Sequence, residues 1–250
     1  MQYTTIAYHQ STRRLFLLDY DGTLVNFTAR PEQSKPSGTV LKILQILAED
    51  PRNTVVIVSG RDRDTLQAWL GHLPVDLSAE YGFQMRQDGE EWKQLSHSPD
   101  PWRKLASELM LAACAQTPGS FIEEKTAALV WHYRQSKDNE TTRKVKVALL
   151  QKLRVLCRTQ ACVVLDGNKV IEIKKTGFDK GTAAQHWLAS QNFDFIFAAG
   201  DDTTDEDLFA ALPESSCSVK VGAGPTIAQH RLANPQELLA YLKQLTRPAP

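Results

Sequence analysis

Asp19-Tyr20-Asp21-Gly22-Thr23 comes directly after the apolar run Leu15-Phe16-Leu17-Leu18. Residues i and i+2 of an extended chain point the same way, so both carboxylates face one spot, and Gly22 lets the chain turn away. Two adjacent carboxylates repel, which demands a cation or a shared proton. A second cluster, Gly200-Asp201-Asp202-Thr203-Thr204-Asp205-Glu206-Asp207, closes another apolar run and packs five carboxylates into eight residues. Part of that charge caps the following helix and offsets its dipole. Capping does not need the Asp201-Asp202 pair ahead of the helix. A hard cation such as Mg²⁺, which takes carboxylate oxygens while keeping waters, would relieve both clusters.

Ser59-Gly60-Arg61 follows a further apolar run, Val55-Val56-Ile57-Val58. A hydroxyl, a backbone turn and a guanidinium are donors for a phosphate, and equally the makings of an ordinary turn. Lys180, in Phe178-Asp179-Lys180-Gly181, begins a predicted helix. That is the wrong end for the dipole, which favours a lysine facing an anion.

The elements that must position these groups alternate short apolar runs with longer stretches of helical period, the pattern of an α/β fold with a parallel sheet flanked by helices. Strands are expected at residues 15–18, 55–58, 193–199 and 218–221, the last ending the series. Helices are expected at 40–48, 64–70, 205–212 and 235–245. Open α/β sheets place their sites at the carboxyl ends of strands, where both acidic clusters stand. The middle differs: a helix over 102–115, strands at 121–122 and 127–133, and an amphipathic basic helix over 141–156. A hairpin of 162–165 with 170–173 then turns across Asp166-Gly167-Asn168. This reads as an α+β block inserted in an α/β frame, and the tail Arg247-Pro248-Ala249-Pro250 as frayed.

A length of 250 residues suits one large domain or a core with an insertion. The 42% hydrophobic and 23% charged residues are those of an ordinary soluble protein, which excludes disorder and fibres. Twenty-nine basic residues balance 29 acidic ones, so nothing suggests a nucleic-acid partner. No apolar run approaches the roughly 18 residues a membrane helix needs. Cys114, Cys157, Cys162 and Cys217 have no C-x-x-C spacing and read as reduced thiols of a cytoplasmic protein.

Asp19-x-Asp21-Gly22-Thr23, Ser59, Lys180 and Gly200-Asp201-Asp202, in that order, resemble the four motifs of the haloacid dehalogenase-like phosphatases. Within that superfamily the chain is most similar to the trehalose-6-phosphate phosphatase family. The likeness is carried by residues 50–63 (DPRNTVVIVSGRDR), 121–134 (FIEEKTAALVWHYR), 167–180 (GNKVIEIKKTGFDK) and 200–209 (GDDTTDEDLF). It implies a Rossmannoid core, residues 1–99 and 177–250, carrying an inserted cap, residues 100–176. It further implies a Mg²⁺-dependent phosphomonoesterase acting on trehalose 6-phosphate, with Asp19 as nucleophile and Asp21 as general acid and base. Mg²⁺ would be held by Asp19, the Asp21 backbone carbonyl and Asp201, with Asp202 and Asp205 behind them. Thr23, Ser59, Gly60 and Lys180 would hold the phosphoryl group. Arg61, Glu123, Lys125, Arg134 and Glu172 would meet the sugar, together with Lys169 or Asn168. A trehalose-6-phosphate synthase domain or subunit is the implied partner. Another sugar phosphate such as sucrose 6-phosphate, or a non-catalytic sugar-phosphate-binding domain, stays as the alternative. The chain departs from the family at Tyr81, where His or Asn is usual, and the part of that position in the site is open. His132 reads as cap packing or a strand-face residue rather than a ligand, and Trp69, Trp92, Trp102 and Trp187 as fillers of core or interdomain gaps.

Overall fold

The computed structural model describes residues 2–28, 30–87, 89–137 and 139–246, so the tail at 247–250 lies outside the described residues. The chain divides into two compact units, Met1–Leu95 with Phe178–Pro250, and Ser96–Gly177. The sequence put these breaks at 99/100 and 176/177. Residues 96–99 travel with the inserted unit because Lys175 Nζ donates to the Ser98 carbonyl (2.5 Å) and to Asp100 Oδ1 (3.0 Å).

In the larger unit the helices are α1 (Gln2–Gln10), α2 (Gly38–Glu49) and α3 (Arg63–Leu70), and its first strands are β1 (Arg14–Leu18), β2 (Asn53–Val58), β3 (Asp76–Ala79), β4 (Gln84–Arg86) and β5 (Lys93–Gln94). The inserted unit contributes α4 (Trp102–Gln116), β6 (Phe121–Glu124), β7 (Ala128–His132), α5 (Glu140–Leu156), β8 (Cys162–Gly167) and β9 (Val170–Lys175). The larger unit resumes with α6 (Lys180–Leu188), β10 (Phe195–Gly200), α7 (Thr204–Ala210), β11 (Cys217–Val221), β12 (His230–Leu232) and α8 (Pro235–Leu245).

Its sheet runs β12-β11-β10-β1-β2-β3-β4-β5. Strands β12 through β3 pair in parallel and the last two are antiparallel. All of β1 is buried, which is what a central parallel strand covered on both faces requires. Alternate residues split between two cores. Phe16, Leu18, Val55, Ile57 and Phe197 pack with α2, α3 and α8, while Leu15, Leu17, Val56, Val58 and Ala198 pack with α6 and α7. Each fully buried aliphatic side chain contributes about 1.5–3 kcal/mol. From β1 the chain moves to β2 on one side, and β10 later occupies the other, so the ends of these three strands surround a topological switch point.

The inserted unit is a four-stranded antiparallel sheet, β6-β7-β9-β8. Leu129, Trp131, Ile171 and Ile173 cover one face against α4 and α5. Two sequence expectations need correction, and several short elements went unread. The strand series does not end at residue 221, because β12 adds an edge strand. Its three residues, none of them buried, carry no periodicity to read. Strands β3 to β5, at two to four residues each, escaped for the same reason, and so did α1, whose sequence has no clear apolar stripe. The β8–β9 turn is Asn168-Lys169 rather than 166–168, and Lys169 takes the positive φ of 64° that a two-residue turn favours.

Candidate active site

Asp19 leaves the end of β1 with its N–H bonded to the Ala199 carbonyl of β10 (3.0 Å), so the ladder continues to the residue that matters. Leu18 is level with Ile57 and Ala199. Two residues on, Ser59 and Asp201 stand at the same height on either side of β1. Gly22 has φ +83°, and a Cβ there would lie 2.2 Å from Asp201 Oδ2, so only glycine lets this turn meet the acidic loop.

Asp19, Asp201 and Asp205 each offer a carboxylate oxygen, all within 4.8 Å of one another. Lys180, the first residue of α6, is set by a capping box between Asp179 and Thr182. Its Nζ donates to Asp19 Oδ1 (2.7 Å) and Asp205 Oδ1 (2.8 Å). Burial alone would push this ammonium down, but the Asp19 and Asp205 carboxylates outweigh it and hold it well above the usual lysine value. One cation among three carboxylates leaves surplus negative charge. Burial, then the neighbouring carboxylates, push Asp201 up to about 9, and burial first pushes Asp205 up to about 8. Asp19 is raised as well, by burial against the pull of Lys180.

The two Asp205 oxygens are spoken for. Oδ1 accepts from Lys180, and Oδ2 from the Asp201 and Asp202 N–H groups (both 3.0 Å). Asp19 Oδ2, in contrast, is buried with no hydrogen-bond partner. A buried, unpaired carboxylate oxygen beside a second carboxylate is the donor set of a hard divalent cation, so the residues present fit Mg²⁺. Asp202 turns outward instead, where its Oδ1 accepts from the Thr204 N–H (2.8 Å). Thr23 is fully buried, its Oγ1 3.5 Å from Asp201 Oδ1.

The Ser59-Gly60-Arg61 turn is held from β3. Ser59 N–H donates to Ser78, Tyr81 N–H to the Ser59 carbonyl and Glu80 N–H to the Arg61 carbonyl, each at 2.9 Å. Glu80 and Tyr81 both take positive φ, 47° and 59°. Non-glycine residues tolerate this at a cost, and such strain collects at functional sites. Tyr81 lays its ring where a Gly60 Cβ would stand, 2.7 Å from Cζ and the hydroxyl oxygen, so Gly60 and Tyr81 are packed as a pair.

Arg61, expected at the sugar, is engaged at Asp21 in this arrangement. Its Nε and Nη2 hold both Asp21 oxygens (2.6 and 2.7 Å), and the guanidinium lies over the rings of Trp69 (4.5 Å) and Tyr20 (5.6 Å). The residue after the Gly60 turn faces β1, which is why it finds Asp21. Trp69 is therefore a platform for Arg61 as well as filling. Lys220 is a feature the sequence reading missed. Buried in β11, it donates to the Asp202 carbonyl (3.2 Å) and stands 3.5 Å from Glu206, bracing the acidic turn. A lone charge inside the apolar run Val219-Lys220-Val221 was the available signal.

In the inserted unit the register aligns Glu123, Val130 and Glu172 across β6, β7 and β9, on the face opposite Trp131 and Ile171. Lys125 Nζ bonds Glu172 Oε1 at 3.2 Å. His132, two residues from Val130 and so on the same face, bonds Glu123 Oε2 at 2.6 Å and stacks on Phe121. It stands on the strand face and is there a partner of a candidate residue. Arg134 Nη2 donates to the Asn168 carbonyl (2.8 Å), and Lys169 Nζ stands 5.9 Å from the Tyr133 ring centroid. The Asn168-Lys169 turn, Arg134 and Tyr133 thus form one corner, and Glu123, Lys125 and Glu172 one sheet face.

Residues 17–237 match the trehalose-phosphatase family. The chain is 43% identical to the bifunctional trehalose-6-phosphate synthase/phosphatase of Thermoproteus tenax over 239 residues, 96% of this chain and 33% of that protein. It is 34% identical to the trehalose-phosphatase of Zygosaccharomyces rouxii over 279 residues, 94% of this chain and 31% of the other. Among solved structures, the C-terminal domain of trehalose-6-phosphate phosphatase from C. albicans is similar with a TM-score of 0.93 at 31% identity, covering 98% of this chain and 96% of that one. The chain spans about a third of the length of the curated relatives it matches. A match running from within β1 into α8, on a fold shared nearly end to end, shows that the chain belongs to the trehalose-phosphatase family.

Proposed function

We propose that this chain hydrolyses trehalose 6-phosphate to trehalose and phosphate through an aspartyl-phosphate on Asp19. The observation that carries the reading is Asp19 itself, at the end of the central strand, with one oxygen on Lys180 and the other buried without a partner beside Asp201. Asp19 Oδ attacks phosphorus in line, forming one P–O bond as the bond to the sugar oxygen breaks. Asp21 gives its proton to that departing oxygen and later takes one from the hydrolytic water. The Arg61 clasp on both Asp21 oxygens is that of the proton-free carboxylate, so it must open while Asp21 carries the proton and close again once the proton has gone to the leaving oxygen. Thr23, Ser59, the Gly60 turn and Lys180 hold the phosphoryl oxygens. Ser59 Oγ accepts from the Arg61 N–H (3.1 Å), which leaves its own proton to give. Asp19, the Asp21 backbone carbonyl and Asp201 would hold Mg²⁺, which when bound supplies positive charge against the phosphoryl oxygens. Asp205 orients the acidic turn behind them, and Asp202 holds Thr204 at the start of α7.

Substrate choice belongs to Glu123, Lys125, Arg134, Glu172 and the Asn168-Lys169 turn. Charged groups fixed by His132 and by each other suit sugar hydroxyls, because an analogue that leaves them unpaired is penalised. The names of the relatives join synthase to phosphatase, which supports a trehalose-6-phosphate synthase domain or subunit as partner. Four free thiols support the cytoplasmic location.

The test is phosphate release from trehalose 6-phosphate and sucrose 6-phosphate, with Mg²⁺ and with chelator. Release is expected with trehalose 6-phosphate in Mg²⁺ only, and Asp19→Asn is expected to lower it by about three orders of magnitude or more. Undiminished turnover in that variant removes Asp19 as nucleophile. Faster release from sucrose 6-phosphate overturns the substrate, and binding without release from any sugar phosphate makes the chain a non-catalytic domain.

A further inference from the structure

The inserted unit holds a second reactive pair that the proposed chemistry does not use. Cys157 ends α5, its N–H bonded to the Leu153 carbonyl (3.0 Å), and Cys162 opens β8, its N–H bonded to the Gln160 carbonyl (2.8 Å). The tight turn between them brings the two Sγ atoms to 3.1 Å. Among the described residues no other two thiols meet: Cys217 has Thr4 Oγ1 at 3.6 Å, and Cys114 lies on α4. A disulfide bond is about 2.05 Å long, so roughly 1 Å of approach would join them.

We propose that Cys157 and Cys162 are a redox site that closes to a reversible intramolecular disulfide when a peroxide supplies the oxidising equivalents. The two thiols differ in access. Cys162 is buried, and that burial, with the bond to Cys157, pushes its thiol up to about 12, so it is inert by itself. Cys157 is half-buried and meets the oxidant first. Its sulfur takes one oxygen from peroxide to become a sulfenic acid, releasing water. Cys162 sulfur then attacks that sulfur, the S–O bond breaks, and the thiol proton leaves with the oxygen as a second water. Two thiols and one peroxide give one disulfide and two waters, with two electrons passing from sulfur to oxygen. The bond ties the end of α5 to the base of the β8–β9 hairpin, where Cys162 is level with Lys175. That hairpin carries Lys169 and Glu172. The setting makes it a switchable tether rather than a permanent staple, since every cysteine is a free thiol.

The experiment treats the full chain with hydrogen peroxide, alkylates the remaining thiols and digests with trypsin. Arg154 and Arg158 place cleavage on both sides of Cys157 and between the two cysteines. The bond therefore appears as peptide 155–158 linked to peptide 159–169, about 2 Da lighter than the sum of the two thiol peptides. Titratable thiols are expected to fall from the four free cysteines to about two. Dithiothreitol is expected to restore them, and the oxidised protein to melt several degrees higher. Cys157→Ser and Cys162→Ser should each abolish the linked peptide and Cys114→Ser should keep it. Cys157 advancing to sulfinic acid with Cys162 still alkylated, or disulfide dimers in place of the linked peptide, would overturn the proposal.

Discussion

Single atoms decide what the strand ends can do. Asp19 and Asp201 meet because Gly22 has no side chain, and the Ser59 turn closes because Gly60 leaves room for Tyr81. Gly22→Ala must place a Cβ inside the Asp201 carboxylate in a backbone region that costs L residues about 1–2 kcal/mol. Phosphate release is expected to fall at least about tenfold, which corresponds to ~1.4 kcal/mol in the barrier, with a lower melting temperature. An unchanged rate would mean that the turn relaxes without moving Asp201. These residues were legible as types and spacings, since carboxylates at the ends of apolar runs stand out in any sequence. Their partners were not. That Arg61 would clasp Asp21, that His132 would hold Glu123, and that Tyr81 would fill the space over Gly60 depend on approaches between residues about 10 to 40 positions apart.

At the scale of elements, the strand β10 does more than pair. Asp194, just ahead of it, accepts from the backbone N–H groups of Thr12 and Arg13, and so ties the entry of β1 to the entry of β10. Those donors hold its carboxyl from the ordinary 3.8 down to about 2. Asp50, held chiefly by Arg52, also lies at about 2. A depressed carboxylate gives its full stability above its unfolded value and loses it as pH falls through the folded one. The window is therefore from about pH 4 to about pH 2. Asp194→Asn should lower the urea midpoint near neutrality and make it less sensitive to pH in that window than in the parent. Equal acid sensitivity in both proteins would show that the tie is not energetically coupled to folding. The helices α5 and α8 were readable because their apolar period is sustained, and β1 and β2 because they carry unbroken apolar runs. Short β3, β4, β5 and β12 were not, since pairing with a neighbour, rather than their own pattern, makes them strands.

The molecule as a whole consists of a doubly covered sheet and an inserted unit with its own core of Trp131, Leu149, Leu153 and Ile173. Leu153→Ala, at a fully buried position, should cost about 2–5 kcal/mol. In native-state hydrogen exchange, the loss is expected in amides of Ser96–Gly177 while β1, β2 and β10 keep their protection. Uniform acceleration would show that the two units open together. The alternation of apolar runs, an interruption near residue 99 and the order of the acidic and basic motifs follow from local composition and period, so one dimension suffices for them. Strand order is different. Nothing in the chain between β2 and β10 states that these strands flank β1, and that adjacency alone brings Asp19, Ser59 and Asp201 to the same end of the sheet and lets Lys180, 161 residues away, neutralise the first of them. Proximity of that kind arises only when a sheet closes and its side chains are withdrawn from water.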